Sequence, residues 1–419
     1  MSVTTFPLAK RLARKATSGV SDRPVEHGFV LALMAVLVAF GLVMVLAASD
    51  VYALRYLRSP WAIFDAQLRW AVLGSMSAFV TARLDYRIWR KLAPAVLAVC
   101  ILMLLAVLVP RVGIGGGGAS RWVGYGPIRM QPSELAKLSL VLYVADVLAR
   151  RRKQISNWRA TVRPVLLVTA GIAALLMAQP DLGSTIVVSL IVFAMLWAAG
   201  VPGKVMGMLA FSGIAGVLFM GWIAPYRRQR LLSFLDPWTH RLTSGFQVVE
   251  SLVGVAGGHL AGVGLGASAT TWGLLPNAYT DFIFSVVATD LGLIGGVSVL
   301  AAFVAFAFAG LRIAASARDS FGALLCVGVT AWIFAQAVIN MGAVIGVLPV
   351  TGIPLPFVSY GGSSLIFDMA AVGMMLNVSA ASTVRPRVMP RPEPAPARGP
   401  RGFAERPDRT RTGPARIPR

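Results

Sequence analysis

From residue 28 onward the chain alternates long apolar blocks with short polar breaks. The first block, GFVLALMAVLVAFGLVMVLAA (28–48), has no polar face at all, so it suits lipid rather than the one-sided contact of a soluble helix. Cutting the chain at its charges and at Gly/Pro punctuation predicts about ten helices of membrane length, near 28–48, 64–82, 92–110, 133–149, 164–179, 182–200, 204–224, 281–311, 322–346 and 364–383. The fold class that follows is an all-α polytopic membrane protein with one large loop, 225–280, between spans 7 and 8. One stretch inside that loop, FQVVESLVGVAGGHLAGVGLG (246–266), is nearly long enough to span. Its glycines and Glu250 make it a poor lipid-facing helix, and it reads as interfacial or re-entrant structure shielded by protein.

The polar breaks differ in charge. The N-terminal arm 1–27 (Lys10, Arg11, Arg14, Lys15), ARLDYRIWRK (82–91), ARRRKQISNWRATVR (149–163), the linker with Lys204, LRIAASARDS (311–320) and the C-terminal tail are basic, and they alternate with poorer loops. The positive-inside rule puts all six in the cytoplasm together with both termini. The opposite face then receives 49–61, 110–134, the turn 179–181, the loop 225–280 and 346–364. These hold the Gly, Pro and aromatic residues from which positioned loops are built.

Composition agrees: 57% of the residues are hydrophobic and 13% charged, a balance for membrane insertion. Lys and Arg number 39 against 17 Asp and Glu, an excess that in a soluble chain suggests nucleic acid. Its placement on alternate connectors assigns it to membrane orientation, so no nucleic-acid partner is expected. Cys100 and Cys326 lie inside apolar blocks and read as buried free thiols, and the three histidines form no metal motif. The tail 384–419, rich in Arg and Pro, cannot build a core and reads as disordered.

Few polar residues then remain as candidates for chemistry. Asp281, in LLPNAYTDFIF (274–284), stands at the edge of a predicted span. As Thr280 or Asp281 before an apolar helix it is a good N-cap, the better-supported reading from this residue alone. As an outward-facing carboxylate it could instead take a proton from a hydroxyl or hold a divalent metal. Arg227, Arg228 and Arg230 in APYRRQRLLSFLDPW (224–238) breach the positive-inside bias. Their guanidinium forks suit phosphate oxygens or snorkel to lipid headgroups. Glu134 and Lys137 in QPSELAK share a helix face and read as an ion pair or as a holder of a polar headgroup. Asp181 reads as the cap of the sixth span, and Asp368 as an intramembrane carboxyl of functional interest. The irregular stretch IPLPFVSYGGSSL (353–365) reads as a structural lid or re-entrant turn. GVGLGAS (262–268) lacks the Lys-Ser/Thr and the strand-helix setting of a phosphate loop.

In their order along the chain, RWVGYGPIRMQPSELAKLSLVLYVAD, QPDLGST, PYRRQRLLSFLDPW, GFQVVESLVGVAGGHLAGVGLGAS, LPNAYTDFIFSVVATDLGLIGG and INMGAVIGVLPVTGIPLPFVSYGGSSL resemble the SEDS family of shape, elongation, division and sporulation proteins over about residues 28–380. The likeness is closest to its cell-division branch, and the elongation branch shares nearly all the motifs. The resemblance implies a ten-helix fold and a peptidoglycan glycosyltransferase that polymerises lipid II beside a class B penicillin-binding protein and other division proteins. It implies catalysis by Asp281 and substrate binding by Glu134, Lys137, Trp122, Arg227, Arg230 and Gln247, with a divalent cation, Mg or Mn, as cofactor. The cell would hold such a protein in its cytoplasmic membrane at the division septum. The chain departs from the family pattern at Tyr279 (a histidine there), Asn277 (a glutamate), Thr289 and Asp290 (an acidic pair) and Glu250 (a glutamine). Two other classes fit the residues: a lipid-precursor transporter using Glu134, Lys137 and Asp368 as an intramembrane polar path, and a non-catalytic scaffold.

Overall fold

The computed structural model describes residues 25–383 apart from 111, 117–118, 126–127, 156, 224 and 268–274. Most of the predicted basic arm and the whole Arg/Pro-rich tail, 1–24 and 384–419, lie outside the described residues. Each predicted apolar block is helical. The long helices are α1 (Val25–Leu57), α2 (Ala62–Arg83), α3 (Tyr86–Leu108), α4 (Pro132–Arg150), α5 (Arg163–Ala178, entered through a π-helical turn at Trp158–Val162), α6 (Leu182–Ala199) and α7 (Gly203–Ile223). Two short helices, α8 (Pro225–Leu235) and α9 (Phe246–Gly257), lie in the predicted large loop. They are followed by α10 (Ile283–Asp290), α11 (Gly292–Ser316), α12 (Ser320–Val344) and α13 (Gly362–Thr383).

Local chemistry sets several ends. Asp85, Asp181 and Asp319 each accept a backbone N–H of the first turn of α3, α6 and α12, as predicted for Asp181, and Pro132 opens α4 where its missing N–H costs nothing.

Among the described residues eight helices are long and apolar enough to cross a membrane. The two long helices outside that set are α2, which carries Asp65, Gln67 and Arg69, and α4, which carries Glu134, Lys137 and Asp146. For α4 the reason is plain: it runs through the middle of the bundle, packed by α3, α6 and α12 and buried along nearly its whole length. Protein surrounds its charges, so lipid apolarity is not required of it. At its far end Asp146 is met by Arg90 at 2.8 Å and Arg150 at 2.7 Å. The rim is the opposite case. In α7, Phe211, Ile214, Leu218 and Phe219 are exposed, and no atom lies within 4 Å of a Cβ built on Gly207, Gly213 or Gly216.

Three expectations are corrected. The predicted outer loop 49–61 is mostly helix, because α1 continues to Leu57. The loop 110–134 contains a small antiparallel sheet, β1 (Gly113–Gly116), β2 (Ala119–Tyr125) and β3 (Ile128–Met130) in that order, in an otherwise helical fold. The predicted helix 281–311 is two helices broken at Leu291, with Gly292 at φ +67°.

The segment after α9 heals that break. Val263 and Gly264 donate their N–H groups to the carbonyls of Thr289 and Asp290, and Leu293 and Ile294 donate to those of His259 and Leu260. Four of the backbone groups freed at the break thereby find protein partners. The 246–266 stretch therefore does not span: α9 has 12 residues, roughly 18 Å against about 30 Å of hydrocarbon. A Cβ on Gly292 would lie 2.4 Å from the Gly262 nitrogen and 2.5 Å from the Leu260 carbonyl oxygen. Gly292→Val is expected to cost more than about 2 kcal/mol, seen as a lowered unfolding temperature in detergent, whereas Gly216→Val should stay near wild type.

Candidate functional site

Asp281 sits in the turn that leads into α10. Asn277 opens the turn at φ +61°, a conformation asparagine tolerates well. Its carbonyl accepts from the Thr280 N–H at 3.1 Å and the Phe282 N–H at 3.3 Å. Here a glutamate would trade an easy left-handed residue for a harder one, which gives Asn277 a backbone reason. The capping position of α10 belongs to Phe282, with no side-chain cap; the expected capping role of Thr280 or Asp281 is corrected. The Asp281 carboxylate instead faces Gly352. Its Oδ2 lies 3.6 Å, and Arg121 Nη1 3.8 Å, from the point a Gly352 Cβ would occupy. A carboxylate and a guanidinium therefore meet over a residue whose missing side chain leaves the space open. Arg121 is itself held by a bond from Nη2 to the Pro180 carbonyl.

The backbone of Asp281 is fixed from below. Asn340 of α12 uses its Nδ2 to donate to the Asp281 carbonyl at 2.7 Å and to the Ile353 carbonyl at 2.8 Å. One turn earlier on the same helix, Gln336 donates from Nε2 to the Pro354 carbonyl at 3.0 Å. Its Oε1 accepts from Lys137 Nζ at 2.6 Å and Trp332 Nε1 at 3.0 Å. Ammonium and indole N–H can only donate, so together they dictate which way the Gln336 amide points. Lys137 is ion-paired with Glu134 at 2.7 Å, both fully buried, and lies 5.2 Å from the centre of the Trp332 ring. The predicted ion pair is thus present and is joined through two amides to Asp281 and to the 353–354 backbone. Asp368 of α13, also buried, feels the charges of both Glu134 and Lys137, and its carboxyl oxygens have no hydrogen-bond partner among the described residues.

Aromatic rings close the upper side. Tyr279 packs on Tyr52 at 5.6 Å and edge-on to Tyr360 at 5.8 Å, and its carbonyl accepts the Tyr360 N–H at 2.9 Å. Burial first, then the neighbouring phenol of Tyr52, pushes Tyr279 up to about 12, so the phenol is uncharged at neutral pH and supplies no titrating group where the resemblance implies a histidine.

The remaining predicted residues lie on β2, α9 and α8. Trp122 is half-buried on β2, next to Arg121 and paired across the sheet with Ile114. Gln247 is half-buried on α9, which is tied to α10 by Ser285 Oγ donating to the Ser251 carbonyl and to α12 by Ser251 Oγ donating to that of Val344. Arg227 and Arg230 are on α8, which packs against α7; their side chains are outside the described residues, so no contact with Asp281 is assigned. Thr289 and Asp290 have structural partners in the Ser285 carbonyl and the Gly266 N–H. The lid reading of 353–365 is refined: its carbonyls are where Gln336 and Asn340 end. Three residues of this site, Arg121, Gln336 and Asn340, were not singled out by sequence. Arg121 and Asn340 lie within motifs noted above, but an amide's partners are set by folding.

The FtsW/RodA/SpoVE family of cell cycle proteins matches residues 28–384. The chain belongs to that family. It is 39% identical over 356 residues to a probable peptidoglycan glycosyltransferase FtsW of Geobacter metallireducens, covering 84% of this chain and 95% of that one. It is 38% identical over 346 residues to stage V sporulation protein E of Bacillus subtilis, covering 83% and 94%. Among solved structures, a chain of a peptidoglycan synthase complex that coordinates polymerization and crosslinking superposes with a TM-score of 0.71 at 31% identity, covering 84% of this chain and 97% of that one. The rod shape determining protein RodA of Thermus thermophilus gives 0.62 at 27%, covering 84% and 95%. The FtsW/RodA/SpoVE assignment bears out the resemblance and the multi-pass helical fold class.

Two outcomes follow from the network. Gln336→Glu keeps the acceptor for Lys137 and Trp332 but removes the donor to Pro354 and buries a second carboxylate beside Glu134; it is expected to lower the unfolding temperature in detergent. Lys137→Met leaves Glu134 buried without a counter-charge and should destabilise by roughly 3–5 kcal/mol. The double variant Glu134→Gln, Lys137→Met should recover part of that loss in thermal unfolding.

Proposed function

We propose that this protein is a peptidoglycan glycosyltransferase that polymerises lipid II at the outer face of the bacterial cytoplasmic membrane, serving septal wall synthesis. The observation that carries the reading is the Asp281 carboxylate held over Gly352 beside Arg121, in a chain aligned along nearly the full length of relatives bearing that activity in their names. In the proposed step Asp281 takes the proton of the acceptor sugar's 4-hydroxyl. That oxygen bonds to C1 of the donor sugar while the bond from C1 to the pyrophosphate breaks, inverting the carbon and releasing undecaprenyl pyrophosphate. Arg227 and Arg230 meet the charge of the leaving group, and Arg121, fixed beside the carboxylate, adds positive potential where negative charge gathers. Gln247 and Trp122 support substrate binding, while the buried Glu134–Lys137 pair acts from beneath, through Gln336 and the 353–354 backbone. Two lipid tails reach such a site sideways through the bilayer, while the sugars need water, which is a physical reason for a polymerase to be a helical bundle.

Among the described residues no group of three or more His, Cys, Asp or Glu could hold a metal ion; a divalent cation here would rest on Asp281 and the pyrophosphate oxygens of the substrate, and no part of the step is routed through it. A class B penicillin-binding protein is the proposed partner, by analogy with the synthase complex that the chain resembles. The orientation with basic connectors and both termini in the cytoplasm rests on the charge rule.

A transporter reading keeps one specific observation, the break at Leu291–Gly292 near a buried carboxyl, since transporters bind cargo at broken helices. Purified lipid II separates the two. Wild type with its transpeptidase should form glycan polymer, and Asp281→Asn, folded by its unfolding temperature, should lower the rate at least about 100-fold. Equal rates would remove Asp281 from the chemistry, and no polymer from wild type with its partner would favour transport.

A further inference from the structure

The connector 149–163 forms an open, solvent-exposed hollow of about 520 Å³ on the surface at the start of α5. Arg151, Arg159 and Arg163 line it with Gln154, Pro164 and Leu167, and no acidic residue is among the lining. None of the three arginines is in an ion pair with another described residue. Three like charges brought together without a counter-charge repel one another, and an anion in the cavity would relieve that repulsion.

The cavity is framed by its own bonds. Arg151 donates to the Ala160 carbonyl, Thr161 Oγ1 to the Gln154 carbonyl at 2.9 Å, and the Ala160 N–H to the Asn157 side chain at 3.2 Å. Arg152 anchors the loop to α12 through Ser320 at 3.1 Å. The site lies at the other end of α4 from the Asp281 cluster: α4 has 19 residues, about 28 Å of helix. It is therefore separate from the chemistry proposed above and does not rest on it.

Its walls say which kind of anion. Leu167, one turn into α5, is 62% exposed, and Trp158 shows part of its ring at the entrance to the same helix. An exposed leucine on a membrane helix faces acyl chains, and a tryptophan marks the headgroup level. Guanidinium groups on one side and a lipid-facing leucine on the other match a molecule with a phosphate at one end and hydrocarbon at the other.

We propose that this cavity binds the phosphate headgroup of an anionic membrane lipid, its acyl chain lying along α5. The test uses the full chain in neutral detergent, titrated with dioleoylphosphatidylglycerol, dioleoylphosphatidylcholine or glycerol phosphate, and reads bound lipid by native mass spectrometry. Wild type should bind the phosphatidylglycerol on the order of tenfold more tightly than the phosphatidylcholine, and Arg159→Gln with Arg163→Gln should weaken that binding about thirty-fold. The pair Arg83→Gln, Arg87→Gln, on another basic connector, should bind as wild type does, and all variants should unfold at the wild-type temperature in phosphatidylcholine. Equal binding of the two lipids by wild type overturns the proposal. So does an equal loss in the Arg83/Arg87 pair, which would signal unspecific surface charge. Displacement of the lipid by glycerol phosphate at matched concentration would also overturn it, by showing a free-phosphate site.

Discussion

The Lys137 ammonium lies in the middle of the bundle, where no water can reach it, and each of its contacts positions something else. Glu134 neutralises it, Trp332 lies beside it, and Gln336 accepts from it. A buried charge left unmet is costly enough that this set is close to obligatory. Because Gln336 must turn its oxygen toward the charge, its N–H group must turn the other way, toward Pro354, while Asn340 holds Ile353 and Asp281 one turn along. An electrostatic demand inside the bundle thereby helps fix the 353–354 backbone, to which Asn340 ties the Asp281 backbone.

How much of this was legible in the sequence depends on the scale of the signal. The long helices were legible because lipid imposes apolarity on every residue of a segment, and the Glu134–Lys137 pair because two opposite charges three residues apart on a helix have few other options. The break at Gly292 was not, since the apolar run continues through it and only the returning 258–264 backbone makes it stable. The strands at 113–130 were hidden in a glycine-rich stretch that carries no alternation. Capping by Thr280 or Asp281 was the natural local reading, and it failed because the turn set by Asn277 moves the cap to Phe282. Arg121, Gln336 and Asn340 carry ordinary side chains whose significance lies in partners distant in sequence, which a single chain read without its fold does not disclose.

Close approach of backbones is the second device of the fold. A Cβ on Gly41 would lie 2.5 Å from the Phe357 carbonyl oxygen, and one on Gly258 would be nearer still to that of Ala288. Such contacts let the irregular 353–361 segment lie against α1 and the segment after α9 against the α10–α11 junction. Loops that would be untenable in lipid are instead lined by protein backbone, and Asp281 is presented from such an irregular segment.

The rim helix α7 is the counterpart of this rigidity. It shows large apolar side chains to its surroundings along most of its length and leads directly into α8, the helix that bears Arg227 and Arg230. A segment gripped mainly by hydrocarbon takes its tilt from the thickness of the surrounding layer rather than from neighbouring side chains. The tilt of α7, and with it the setting of the α8 helix that follows, is then a property of protein and membrane together, so a thicker or thinner bilayer would retune this edge of the bundle while leaving the buried amide network untouched.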